Sequence, residues 1–168
     1  MPTALELPAD FPRPAEQQFQ GAWIRRSLQP ELATALRVLA REQQCTLYML
    51  LLAAFDVLLF RYSGSEDIVV GTPVEGRTGQ SLERLVGLFI NTLVMRTDLG
   101  GDPAFTELLQ RVRKVTLDAQ AHQDLPFEKL VAELRPARSL SRAPLFQVMF
   151  NLIRMPEEVQ RAAGLEFS

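Results

Sequence analysis

Apolar residues recur at helical spacing in four segments of the chain, and each segment predicts a helix. The first is PELATALRVLAREQQ at 30–44, whose leading proline suits a first helical turn. The second is TLYMLLLAAFDVLLFRY at 46–62, which is apolar around most of a helix and predicts a buried helix with Thr46 as its N-cap. A long amphipathic helix is predicted from Asp102 and a short helix from Pro126.

Four further segments are rich in residues that favour strands. They are GAWIRRSL at 21–28, DIVVGTPV at 67–74, LFINTLVMRT at 88–97 and LFQVMFNLI at 145–153. The second strand is expected to end near Gly71 and Pro73, because proline cannot donate to a ladder. Strands that alternate with helices predict an α/β fold, with a mixed sheet flanked by helices. Four prolines near the N-terminus predict an extended lead-in.

The composition narrows the classes of function. A chain of 168 residues that is 47% hydrophobic fits one globular domain. Its formal net charge is −2 and it has no basic block, which argues against nucleic-acid binding. One cysteine and one histidine leave little for a disulfide framework or a metal centre. The apolar run at 46–62 is shorter than a bilayer span and Asp56 interrupts it. With no signal pattern at the N-terminus, we expect a cytoplasmic protein without a membrane anchor.

The single histidine, His122, has two interpretations. A catalytic histidine needs a nucleophile and an orienting partner, and Asp124, Ser139 and Ser141 are suitable residue types. However, His122 falls where one predicted helix ends, and Asp124 is placed to cap the next helix. The spacing favours this structural interpretation.

Several amide and guanidinium side chains also have two interpretations each. Asn91, Gln147 and Asn151 lie within apolar strands, where they either pair with the backbone or line a channel for an amide-rich ligand. Arg138 and Arg142 are either solvated loop charges or anchors for a distant carboxylate.

Four stretches in chain order resemble motifs of the condensation domains of non-ribosomal peptide synthetases. They are RYSGSEDIVVGTPVEGR at 61–77, VGLFINTLVMR at 86–96, HQDLPFE at 122–128 and RSLSRAPLFQVMF at 138–150. The resemblance implies a chloramphenicol-acetyltransferase-like fold, in which two α/β lobes enclose a tunnel. It also implies amide-bond formation between a carrier-bound acyl or peptidyl donor and an aminoacyl acceptor. The phosphopantetheine arms belong to the carriers, so the resemblance implies no intrinsic cofactor.

The chain departs from the family at the catalytic signature HHxxxDG, which one histidine cannot supply. His122 matches a later motif that is not the catalytic one. The chain therefore resembles a C-terminal lobe at 20–168, preceded by a lead-in or linker at 1–19, with the N-terminal lobe absent and the C-terminal end truncated. We expect this lobe to be an acyltransferase fragment that is inactive alone, with no catalytic residue and no metal site. The alternative is a non-catalytic docking module for carrier proteins.

The resemblance also suggests site residues and partners. The substrate-tunnel candidates are Phe89, Asn91, Gln147 and Asn151. The motif positions expected to be structural are Gly87, Thr92, Arg96, His122, Asp124, Pro126, Arg138, Arg142 and Pro144. The expected partners are peptidyl carrier proteins, the missing N-terminal lobe and adjacent synthetase modules. We also expect Asn91 to face the cleft, and the isolated lobe to self-associate through the surface around 76–91.

Overall fold

The computed structural model describes residues 4–17, 21–76, 85–87, 89–137 and 139–153, together with the backbone of 160–162 and 165–167. The helices are α1 (Pro30–Glu42), α2 (Leu47–Ser63), α3 (Phe105–Ala121) and α4 (Phe127–Leu134), and the strands are β1 (Asp67–Glu75), β2 (Ile90–Asp98), β3 (Gln160–Ala162) and β4 (Leu165–Phe167). All four predicted helices are present. β1 and β2 form an antiparallel hairpin, and β3 pairs with β4.

Local capping sets the ends of α2. The Thr46 hydroxyl accepts from the N–H of Met49 at 3.2 Å, so the predicted N-cap is confirmed. Gly64 ends the helix in the left-handed conformation at φ 69°, which glycine adopts without a steric penalty. α3 starts at Phe105 and not at the predicted Asp102, because Asp102 has a positive φ of 49° that a right-handed helix excludes.

One face of the hairpin packs against α2 and α3 and forms the core. In the antiparallel register Val70 lies opposite Met95 and Thr72 lies opposite Leu93. These residues alternate with outward-facing neighbours, as the pleat of a strand requires. The large side chains with essentially no exposure include Leu50, Leu52, Ile68, Val70, Met95, Leu109 and Val112. The core therefore lies between the α2–α3 layer and the hairpin.

β1 continues to Glu75, beyond the predicted end near Gly71 and Pro73. The backbone of Gly71 bonds away from β2, to residues of the 146–150 segment. Since alternate residues point the same way, the missing N–H of Pro73 also points away from β2. The proline therefore leaves the β1–β2 ladder intact.

The strand predicted at 145–153 is reduced to one parallel bridge, between Gly71 and Met149. Gly71 donates to Val148 O and accepts from Phe150 N, each at 2.9 Å. The next bond of a parallel ladder would need an N–H at Pro73, which proline lacks. The bridge places a parallel segment beside the two-stranded β1–β2 sheet, and the predicted α/β class, in which helices pack on a sheet, is confirmed.

The prediction of a strand at 21–28 was wrong, since these residues have no regular structure. Trp23 is 94% exposed and Ile24 is 84% exposed. A strand needs a neighbour for its N–H and C=O groups, and no described segment pairs with this one. The local preference of these residues for extended backbone is therefore not enough to form a strand without a pairing segment.

Among the described residues, no single helix is long and apolar enough to cross a membrane. Only α1 and α2 taken together pass that test, and they are bent by 105° relative to each other. α2 owes its apolar character to the core, where it buries Met49, Leu50, Leu52, Ala53 and Leu59.

Candidate functional site

Backbone groups satisfy every hydrogen-bonding position of the Asn91 side chain, and three of these groups belong to the α3–α4 turn. Its Nδ2 donates to the carbonyl oxygens of Gln123 at 2.7 Å and Leu125 at 2.8 Å. Its Oδ1 accepts from the N–H groups of Phe127 at 3.1 Å and Thr92 at 2.9 Å. An amide offers two donor hydrogens and two acceptor lone pairs, so all four positions are used. The side chain therefore fastens the start of β2 to the turn.

This geometry corrects the expected direction of Asn91. Leu93 and Met95 share its face of β2, and both are buried in the core under the helices. Asn91 thus points to the helix-covered side, beside the C-terminal end of α3. A position lining a substrate tunnel stays a prediction, but a direct hydrogen bond to substrate would have to replace one of its present bonds.

His122 is the C-cap of α3, at the helix end where the sequence predicted it. Its side chain is exposed, and its Nδ1 lies 2.9 Å from the carbonyl oxygen of Asp118. A carbonyl oxygen only accepts, so Nδ1 carries a hydrogen in this bond. This contact occupies one ring nitrogen with the helix backbone.

Asp124 does not cap α4, so that prediction was wrong. The N-cap of α4 is Pro126, and no side chain caps it locally. Asp124 lies two residues before the cap, whereas a capping side chain normally belongs to the N-cap residue itself. The first N–H of the helix, from Phe127, bonds to Asn91 instead.

The N-terminal lead-in lies along residues 140–147, and we call this contact the lead-in seam. Leu5 N donates to Gln147 Oε1 at 2.9 Å, and the Leu5 side chain is 7% exposed within the core. Arg142 pairs with Glu6 at 2.5 Å, and their hydrogen bond lowers the pKa of Glu6 and raises that of Arg142. Farther along, Gln17 N donates to the carbonyl oxygen of residue 140 at 2.9 Å. Arg142 is thus an anchor for a distant carboxylate, which was one of its two interpretations.

The remaining motif positions are dispersed. The Phe89 carbonyl oxygen accepts from a backbone N–H that follows β1, and the Pro144 carbonyl oxygen accepts from the N–H two residues later. Gly87 and Asn151 are exposed, and Arg138 lies outside the described residues. The structure therefore brings Asn91 to the HQDLPF turn and Gln147 to the lead-in, with β1 between their two segments.

Arg96 forms a two-pronged ion pair with Asp67. Nε and Nη2 donate to the two carboxylate oxygens at 2.9 and 2.8 Å, and so join the start of β1 to the end of β2, which lie side by side in the antiparallel register. The carboxylate raises the pKa of Arg96. Both side chains are more than a third exposed, so the contribution to stability is small.

A hydrogen-bonded chain links α2, β1 and the 146–150 segment. Thr72 Oγ1 donates to Phe150 O at 3.2 Å, which uses its only hydrogen. Tyr48 must therefore be the donor in its 2.6 Å contact with Thr72 Oγ1. The rings of Tyr48 and Phe150 also pack, with centroids 5.5 Å apart. Sequence reasoning missed this hydrogen-bonded chain, although the hydroxyl of Tyr48 in a largely apolar helix was a signal that a polar partner was needed.

Phe146 covers the opposite face of the hairpin at Gly71. A Cβ added at Gly71 would collide with the Phe146 ring. That ring also packs on Phe127 of α4, with centroids 5.5 Å apart. Glycine is therefore required at this position by a close approach and not by a turn.

Next to this contact, α4 and the chain that follows it enclose a surface cavity of about 760 Å³. Its lining is mainly apolar and includes Val131, Ala132, Arg135, Pro136, Ala137, Ser139, Leu140, Arg142 and Pro144. The described residues contain no cluster of three or more side chains suited to hold a metal ion. The cavity can therefore offer a ligand apolar contacts and a few hydrogen-bond donors.

A family model described as the condensation domain matches residues 2–166, almost the whole chain. The chain belongs to the condensation-domain family. It is 58% identical over 156 residues to one of the linear gramicidin synthase subunits of Brevibacillus parabrevis, covering 93% of this chain and 2% of that protein. It is 46% identical over 168 residues to the dimodular nonribosomal peptide synthase of Bacillus subtilis (strain 168), covering 100% of this chain and 7% of that protein. This condensation-domain chain therefore spans a small part of the length of these relatives.

Solved structures of the family superpose on the same fold. A four-domain nonribosomal peptide synthetase bound to AMP and glycine gives a TM-score of 0.86 at 31% identity, covering 92% of this chain and 12% of that one. The X-domain from teicoplanin biosynthesis gives 0.83 at 32% identity, covering 89% of this chain and 33% of that one. The predicted α/β lobe of the chloramphenicol-acetyltransferase-like type is confirmed.

Proposed function

We propose that this chain forms the C-terminal lobe of a condensation domain that joins a carrier-bound acyl or peptidyl donor to an aminoacyl acceptor by an amide bond. The observation that carries the proposal is the family match over residues 2–166. The high identity to linear gramicidin synthase proteins supports it further.

In this proposal, the lobe supplies one tunnel wall and part of the carrier contacts, and the complementary lobe supplies HHxxxDG. The sequence has one histidine, and its Nδ1 is bonded to the helix backbone. Asn91 and Gln147 act by fixing the backbone of the wall, since both amides already bond to main-chain groups. Phe89 and Asn151 contribute surface to the tunnel.

The proposed partners are peptidyl carrier proteins, the N-terminal lobe and adjacent modules. The size of the relatives, of which this chain covers only 2–7%, supports adjacent domains. Phosphopantetheine would arrive on the carriers and not as a resident cofactor of the lobe.

A complementation assay tests the roles that the proposal gives to this lobe and to the complementary lobe. The chain alone, given loaded donor and acceptor carriers, should yield no amide product above background. Adding an HHxxxDG-bearing lobe from the linear gramicidin synthase of Brevibacillus parabrevis should restore product, and the same lobe with its second histidine changed to alanine should not. Product from this chain alone that is lost in His122→Ala would contradict the proposal.

A second candidate function is a docking module without chemistry. One similar solved structure is a complex of the X-domain from teicoplanin biosynthesis with OxyB, with a TM-score of 0.83. Titration of labelled chain with holo-carrier and with apo-carrier, followed by NMR, tests binding directly. Shifts confined to one face, together with failed complementation, would favour docking over catalysis.

A further inference from the structure

Asp56 is an acid in the middle of the apolar helix α2, and it is 1% exposed. Its Oδ2 has no hydrogen-bond partner among the described residues. The same is true of Oγ1 of Thr97, a β2 residue that is also 1% exposed. Buried polar atoms without partners are rare in native proteins, and each needs a physical explanation.

The surroundings of Asp56 disfavour a charged carboxylate. Leu52, Ala53 and Leu59 lie one helical turn away on the same side of α2, and all are buried. Burial raises the pKa of Asp56 to about 7, and the nearby Thr97 hydroxyl opposes only part of that rise. The protonated acid, by contrast, carries a hydrogen that it can offer to Thr97.

Within the described part of the chain, no cation compensates Asp56 from the elements packed around α2. On α3, Arg111 bonds to Asp98 O, Gly100 O and Glu107, Arg113 to Gln44 O, and Lys114 to Asp118. The other charged groups on these elements are Glu31, Arg37, Arg41 and Glu42 of α1, Arg61 of α2, Asp67 and Glu75 of β1, and Arg96 and Asp98 of β2. None of these charges shifts the pKa of Asp56.

We propose that the contact between α2 and the β1–β2 hairpin is a proton-operated switch. Asp56 keeps its proton while α2 is closed on the hairpin. When the carboxyl group releases that proton to solvent, the anion draws water between α2 and β2 and loosens the packing.

The Tyr48–Thr72–Phe150 chain would transmit this change. Tyr48 lies two turns before Asp56 on α2, and the Asp56 charge contributes to the raised pKa of Tyr48, after burial. Tyr48 donates to Thr72, which donates to Phe150. Loosening of α2 therefore reaches the 146–150 segment, which carries the Gln147 anchor of the lead-in seam.

The direction of the pH effect follows from proton linkage. An aspartate in the unfolded chain has a pKa of about 3.9. The folded chain holds the Asp56 proton up to a pKa of about 7, so between these values the folded state binds one more proton. The contribution of Asp56 to stability is therefore complete at low pH, falls as pH rises through this window, and is lost above it.

NMR of the 168-residue chain with labelled aspartate tests the switch. We expect the Asp56 carboxyl carbon to titrate near neutral pH, and the amide signals of Thr97, Thr72 and Phe150 to move with the same midpoint. Thr97→Val should move that midpoint to higher pH, because the hydroxyl that lowers it is gone.

Unfolding midpoints provide a second readout. From about pH 4 to about pH 7, the free energy of unfolding of the wild type should fall by up to about 1.4 kcal/mol per pH unit, because the folded state binds up to one more proton than the unfolded state, and it should level off above that window. Asp56→Asn, which cannot ionise, should lose that slope, whereas Asp124→Asn at an exposed site should keep it. An Asp56 carbon that titrates near about 3.9 would overturn the proposal. So would a titration that leaves the Phe150 signal unmoved, or an Asp56→Asn slope equal to that of the wild type.

Discussion

Asn91→Ala is expected to detach the α3–α4 turn from β2. The substitution removes both donors to the Gln123 and Leu125 carbonyl groups and the acceptor of the Phe127 N–H. At about 1 kcal/mol for each of these three bonds, the free energy of unfolding should fall by about 3 kcal/mol. The estimate also agrees with the loss of a helix cap, typically about 1 kcal/mol, plus two further bonds.

Denaturant titration with linear extrapolation measures this loss, and Asn151→Ala is a matched control because Asn151 is exposed. The control should change stability by less than about 0.5 kcal/mol. Amide hydrogen exchange adds local resolution, since protection of the Phe127 N–H should drop in Asn91→Ala and not in the control.

Asn91→Asp separates the two halves of the amide. A carboxylate still accepts from Phe127 N–H, but it opposes the carbonyl oxygens of Gln123 and Leu125 and donates to neither. It should therefore be at least as unstable as the alanine variant at neutral pH and recover in part when acid protonates it. The reasoning fails if Asn91→Ala matches Asn151→Ala in stability, or if the aspartate variant is as stable as the wild type at neutral pH.

Four further outcomes follow from the structure. Gly71→Ala should destabilise the fold by roughly 1–3 kcal/mol, because the phenyl ring above it must move; an unchanged denaturation midpoint would contradict that close approach. Tyr48→Phe should cost about 1 kcal/mol in the same titration, and a stabilised variant would argue against the hydrogen-bonded chain. Leu5→Ala should cost about 2–4 kcal/mol, whereas a loss below about 0.5 kcal/mol would mean that the lead-in is not part of the core. The isolated chain should self-associate in sedimentation, and a wild-type monomer at micromolar concentration would refute this. Residues 77–84 and 88 of the surface expected at 76–91 lie outside the described residues, but Trp23 and Ile24 also expose apolar surface, so replacing them with serine should reduce the association.

The helices could be predicted because their signals are local. Apolar spacing within 30–44 and 46–62 is read from one segment at a time, and Thr46 acts within its own turn. Strands depend on a partner elsewhere in the chain. The pattern at 21–28 therefore looked like a strand, but no described segment pairs with it, and the ladder at 146–150 stops because Pro73, more than seventy positions away, lacks an N–H.

The α3–α4 turn illustrates the same limit for the site. The cap of α4 comes from Asn91, 36 positions before Phe127, so the nearby Asp124 was the natural but wrong candidate. The strand alternation had already grouped Asn91 with Leu93 and Met95. That local signal pointed to the buried face, whereas the expected cleft direction came from the family resemblance alone.

The lead-in seam bears on where such a chain can be cut and rejoined. Leu5, Glu6 and Gln17 belong to the lead-in, yet their partners lie more than 120 positions later, at residues 140–147. A recombination junction placed at the end of the lead-in would combine a lead-in from another protein with Gln147 and Arg142 of this chain. A junction before residue 4 would keep both sides of the seam from one parent, and hybrid chains built that way should retain the packing of that parent.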